Sequence, residues 1–409
     1  MTEQFPLPPI KILERLLVTD GLLMNADRWR VAHEYHRHRQ NIHYQSLNQP
    51  GIVCGLGVHL ISAPAEVPAN YRDERWLEVQ PGIAIDIAGN PIIVPQPETY
   101  RIATQAPLDK SLTVYLVISY VDPERLRRPT NPEIIAETFR IDEKLSPPTE
   151  TEVELCRIFL KQGEVKLAVE VKLKNPVDVF FPEHNQLDLR YRQQVRSRPQ
   201  ATIRVAQIAN SAATKRSAEN LSYLVKSVSS LYPNLSAQQI EPINLEIKDI
   251  DSQIQTCDLL FLATSAEFSL NPIELAVLKN YLDLGGVLLI DTPSNSNITI
   301  SSVLDLAKQL GTSLQDIKDI KPNHYLRTEP FLFSSLPVVN QEHIQIQYGE
   351  GIILVTGDLS SAWGLNDALL LSRETIRTAQ EIGINILHFS WKRRQIMQLL
   401  KLENKNSNS

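Results

Sequence analysis

Four of the nine histidines, His33, His36, His38 and His43, fall within eleven positions. A helical metal site needs ligands on one face, such as a His pair at i and i+4 with a carboxylate beside it. Here His33 and His36 stand at i and i+3, Glu34 lies off that face, and Arg37 and Arg39 repel a cation. The spacing gives no metal site and calls for no cofactor. It reads instead as a basic, aromatic-lined helix that docks onto the following region or a neighbour. Its candidate interaction residues are Trp29, Tyr35, His36, Arg39 and His43.

A second set of chemistry-bearing residues follows short apolar runs. Ser265 and Glu267 come after Asp258–Ala263, Asp291 and Thr292 after Val287–Ile290, and Asp358 after Ile352–Val355. Open α/β sheets bind ligands at the carboxyl ends of their strands, so these five residues form a candidate ligand edge. Neither a G-x-G-x-x-G nor a P-loop nor a G-x-S-x-G elbow stands there. A second reading is capping, since Asp, Ser and Thr are the usual N-caps and every helix start demands one. Capping carries more weight, and no catalytic residue is assigned. Cys257 precedes its strand and is poorly placed for a nucleophile.

The elements that position these residues change class near residue 200. Residues 1–50 read as a helical arm, with Asn25 as an N-cap and Pro50-Gly51 as a breaker. Residues 51–181 carry short alternating strands punctuated by Gly and Pro, the pattern of an antiparallel sandwich or barrel. Residues 122–151 read as a long surface loop. Residues 182–200, with Arg190, Arg192, Arg196 and Arg198, read as a solvated linker. Residues 201–398 alternate strand and helix, with Ser269 capping one helix and Gly383 ending another. The polar segment 399–409 reads as a disordered tail. The expected fold class is an α+β N-terminal domain followed by a flavodoxin-like α/β open parallel sheet.

Composition sets the bounds. The 409 residues suit two or three domains, and 43% hydrophobic with 22% charged residues is ordinary for a globular protein. The net charge of −6 divides as 24 basic against 26 acidic residues up to position 200, then 17 against 21. Neither half is a nucleic-acid arm, and four linker arginines would neutralise only a few phosphates. The apolar runs are too short for a transmembrane helix, and the N-terminus lacks a secretion signal. Three scattered cysteines make no disulfide framework or zinc site and fit a reducing compartment.

Two resemblances add to this reading. Asp258-Leu-Leu-Phe-Leu-Ala263, Leu278-Lys-Asn-Tyr-Leu282, Gly285-Gly286-Val-Leu-Leu-Ile-Asp291 and Ala379 to Leu387 resemble a glutamine-amidotransferase-like family of unknown function over about residues 200–395. In true amidotransferases the strand after the Gly-Gly turn ends in the nucleophilic cysteine. Asp291 stands there instead, which implies a binding or assembly module rather than an enzyme. Asp20-Gly21, Asp27-x-Trp29, Tyr35-His36-x-His38-Arg39, Gly51 to Val58 and Val79-x-Pro81-Gly82 to Pro95 resemble proteins of phage-tail-like contractile injection systems. That resemblance implies a structural component at or near the baseplate, in several copies of a symmetric assembly, with baseplate and sheath proteins as partners. The pairing of both halves is similar to proteins of photosynthetic bacteria, where such a system is anchored at the thylakoid. The resemblance implies a cytoplasmic location with at most peripheral membrane contact, and a link from the baseplate to a membrane or other anchor. An enzyme or ligand-sensing module at the strand-end edge is the alternative.

Overall fold

A computed structural model describes residues 8–106, 110–122, 136–161, 172–209, 214–244, 253–267, 269–364 and 371–406. The chain divides into two compact units, Met1–Arg198 and Pro199–Ser409.

In the first unit, residues 8–25 contain neither helix nor strand, which corrects the expected helical arm over that stretch. The helix α1 is Ala26–Leu47. Asn25 caps it, its side-chain oxygen accepting from Arg28 N–H at 2.9 Å. Three antiparallel sheets follow. One orders β1 (Gly51–Gly55), β4 (Gly82–Ile85) and β5 (Pro91–Val94) as β1-β4-β5. The next orders β2 (Val58–Ile61), β3 (Trp76–Val79) and β6 (Glu98–Arg101) as β2-β3-β6. The third orders β7 (Ser111–Val121), β8 (Thr138–Lys144), β9 (Glu152–Lys161) and β10 (Leu187–Asp188) as β10-β9-β7-β8. Alternate residues, among them Ile52, Leu77, Val79, Ile92, Leu116 and Leu155, point into one shared core.

Two expectations for this unit are corrected. The excursion 122–151 is not all loop, because β8 pairs with β7 from Tyr115–Lys144 to Val121–Thr138; residues 123–135 lie outside the described residues. Residues 182–198 are not a solvated linker. Asp188 and Leu187 pair with β9, Val195 N–H donates to Ile52, and Arg192 donates to the Gly55 and Leu56 carbonyls. The sequence predicts solvated charge for these arginines, whereas Arg192 and Arg198 donate to backbone carbonyls within the unit, Arg198 to that of Gln45.

The second unit is built on a seven-stranded mixed sheet, mostly parallel. Its strands are β11 (Ala201–Gln207), β12 (Leu235–Gln239), β13 (Leu259–Ala263), β14 (Val287–Thr292), β15 (Gln315–Asp316), β18 (Gln345–Gly349) and β19 (Ile352–Thr356), ordered β12-β11-β13-β14-β19-β18-β15. The short pair β16 (Val338–Val339) and β17 (Glu342–His343) stands apart from it. The strands β12 to β19 in that order are parallel; β18 and β15 are antiparallel additions. The runs Leu259–Leu262 and Val287–Ile290 are buried because helices cover both faces. The helices α2 (Thr214–Leu231) and α6 (Arg373–Asn406) pack on one face, α3 (Pro272–Asp283) and α4 (Asn297–Gln309) on the other. A single turn, α5 (Tyr325–Thr328), is tied to α6.

Three helix boundaries differ from expectation. The cap of α3 is Asn271, not Ser269: its side chain accepts from Ile273 and Glu274 N–H while Glu274 reaches back, a capping box. Gly383 does not end its helix. A Cβ there would lie 2.6 Å from Leu224 of α2, so this glycine admits a close helix approach. The segment 399–406 is the end of α6 rather than a disordered tail, and 407–409 lie outside the described residues.

Candidate functional site

The carboxyl ends of β13, β14 and β19 are laced together by the backbone. Thr264 N–H donates to the Asp291 carbonyl at 3.1 Å, and Gly357 N–H donates to the Thr292 carbonyl at 2.8 Å. Beyond β19 the chain turns through Asp358 at φ +58 into a 3₁₀ turn, Leu359–Ala362.

Asp291 is 3% exposed. Its two carboxylate oxygens accept from Leu359 N–H at 3.1 Å and Ser360 N–H at 2.7 Å. Burial, and then the charge of Asp358, push its carboxyl up to about 7; the bonds from the 359–360 turn oppose this. Asp358 is also raised by burial, with Ser361 and Arg216 acting against it and Glu342 adding to it. Thr292 is fully buried, and its hydroxyl has no partner among the described residues. Asp291, Thr292 and Asp358 are therefore brought to one place.

Ser265 and Glu267 are exposed and do not share in the Asp291 bonds. The reason is local. Ala266 N–H donates to the Thr264 hydroxyl at 3.1 Å, and Thr299 of α4 donates to the Ala266 carbonyl at 3.1 Å, folding the loop back on α4. Sequence reasoning missed the 359–360 N–H pair. Its only signal was Gly357-Asp358, a turn dipeptide just past an apolar run.

What the carboxylate does here is cap a turn. Two converging N–H donors hold it, and a proton transfer through it would break one of those bonds. The capping reading applied to the helix following each strand; the structure makes Asp291 cap the turn after the next strand in the sheet instead. A cavity of about 340 Å³ lies at the opposite strand ends, among Lys279, Asp283, Thr312, Glu350 and Arg393, and none of the five edge residues lines it.

In the first unit, α1 is fastened by its carboxyl half. Asn41 is buried, and its side-chain amide pairs with that of Asn90 at 2.7 Å. Gly89, at φ +79, sits so close that a Cβ would meet the Asn41 carbonyl at 2.3 Å. Trp29 is 59% exposed, Tyr35 is half-buried, and His36, Arg39 and His43 are exposed. Trp29 stacks edge-on with His33, and Tyr35 with His36. Among the described residues no cluster of three or more His, Cys, Asp or Glu could hold a metal ion.

Residues 201–390 match the model of a family described as a domain of unknown function, DUF4159. The match spans the seven-stranded sheet and most of its helices. No curated protein matches the chain, and no solved structure does. Among the described residues no helix is long and apolar enough to cross a membrane.

Proposed function

We propose that the chain is a structural component of a phage-tail-like contractile injection system, at or near its baseplate, present in several copies. The observation that carries this reading is the engagement of Asp291. The residue standing where an amidotransferase would hold its nucleophile is buried and bonded to two backbone N–H groups as a cap. A fold whose strand-end carboxylate supports its own turn suits an assembly module. The N-terminal motifs favour the same reading, because Gly89 and Asn90 lie in the contact that fastens α1.

The parallel strands, numbered as the chain meets them, run 2-1-3-4-5. That is the flavodoxin-like order, which supports a flavodoxin-like, amidotransferase-like second domain. The proposed partners are baseplate and sheath proteins, and the proposed location is the cytoplasm, with peripheral thylakoid contact through the particle. Native pull-down with mass spectrometry and imaging tests it. Recovery in a large particle with sheath and baseplate proteins is expected, and recovery as a lone monomer would overturn it.

One observation favours a second reading, a ligand-sensing edge: the raised carboxyl of Asp291 beside Asp358 and the unpartnered Thr292 hydroxyl. A thermal shift of the full chain with a nucleotide or amino acid, abolished by Asp358→Asn, would support it.

A further inference from the structure

The outward face of α1 differs in charge from its anchored face. At 3.6 residues per turn, Arg28, Trp29, His36, Arg39 and His43 all lie about 120° or more from the buried Asn41. Both carboxylates of the helix, Asp27 and Glu34, lie within about 40° of Asn41. By the same count Ala32, Tyr35, Ser46 and Leu47 share this face, which holds two arginines, two histidines and a largely exposed tryptophan, with no acidic residue among them.

The carboxyl half of the helix that carries the stripe is fastened to the rest of the unit. Asn41 is tied to Asn90, the Gln45 carbonyl accepts from Arg198 at 2.7 Å, and Arg198 N–H donates to the Leu47 carbonyl at 2.9 Å. A surface fixed before binding loses less entropy on docking. Tryptophan and arginine are the residues that most often carry protein–protein binding energy.

We propose that this face of α1 docks an acidic surface of a partner protein, with Trp29 as the apolar anchor and Arg28 and Arg39 pairing carboxylates. Charge complementarity selects the partner. Two arginines match too few phosphates for firm nucleic-acid binding. Trp29 and Leu47 stand near opposite ends of the helix with polar side chains between them, too little apolar area to lie in a bilayer interface. The proposal names the partner chemistry of the assembly component proposed above and rests on that reading.

The test uses the purified full-length chain and a synthetic 21-residue amphipathic helix bearing glutamates along one stripe and leucines beside it. The same peptide with glutamines, a duplex DNA oligonucleotide and phosphatidylglycerol vesicles are the competing probes. Acrylamide quenching, compared between the wild type and Trp29→Phe, isolates the Trp29 signal. The glutamate peptide is expected to bind at least tenfold more tightly than the glutamine peptide and to shield Trp29. Arg28→Glu/Arg39→Glu is expected to weaken it at least tenfold, while Lys215→Glu/Lys226→Glu, the same charge change on α2, leaves it unaltered. Circular dichroism checks that each variant is folded. Equal binding of both peptides, no effect of the α1 pair, or tighter binding of DNA or vesicles would overturn the proposal. Particle recovery is measured separately, so loss of peptide binding with intact co-purification sinks this face alone.

Discussion

Asp291 couples two parts of the chain 68 positions apart through its bonds to Leu359 and Ser360. Asp291→Ala would leave two buried N–H groups without an acceptor, at a cost of about 1–3 kcal/mol. Urea denaturation reads this as a lowered midpoint with an unchanged slope. Asp291→Asn removes the titration. The carboxyl at about 7 in the folded chain is raised above its ordinary 3.8, so its contribution to stability is full below about pH 4 and is lost as pH rises through 7. The wild type is therefore expected to lose stability relative to Asp291→Asn between pH 4 and 7, and the gap to level off above that, as followed by melting temperature. The cysteines make a second case. Burial raises Cys156 to about 12 and Cys257 to about 11, whereas Cys54 is exposed. A thiol reagent is expected to modify one cysteine rapidly in the native chain and three in denaturant; fast labelling of Cys156 would contradict this burial. The edge position of Asp291 was legible from the apolar run before it. Its partners were not, because they depend on the pairing of β14 with β19, which residue spacing does not encode.

Glycine marks the element boundaries where local reading succeeded and failed. Gly383 has the composition of a helix stop, yet α6 runs through it because α2 needs the room at Leu224. A β-branched side chain there would force α2 and α6 apart. Gly383→Val is expected to destabilise the second unit by about 1–3 kcal/mol, measured by denaturation. At Gly89 the obstacle is backbone, the Asn41 carbonyl, and φ is positive, so nothing can yield. Gly89→Ala is expected to loosen α1 and expose it to limited proteolysis, with the sheets retained. The alternation of β7 and β9 and the buried runs of β13 and β14 were readable because period and apolarity report directly on burial. The weaving of 182–198 into β1 and β9 was not, since charged residues donating to distant carbonyls look like a solvated connector in sequence.

At the scale of the molecule, two units with separate cores should melt as separate cooperative blocks. Calorimetry is expected to resolve two transitions, and Asp291→Ala to lower only one of them; a single transition shifted as a whole would contradict this. The buried carboxyls add a property of the whole chain. Burial raises Asp86, Glu154, Asp258 and Asp358 as well as Asp291. At pH 6 folded Asp291 holds a proton that the unfolded chain gives up to the buffer, whereas burial lowers His324 and His388, which take protons up on unfolding. The heat absorbed on melting therefore belongs partly to the buffer, and exchanging phosphate for an amine buffer, whose protonation releases heat, is expected to lower the heat of the wild type relative to that of Asp291→Asn.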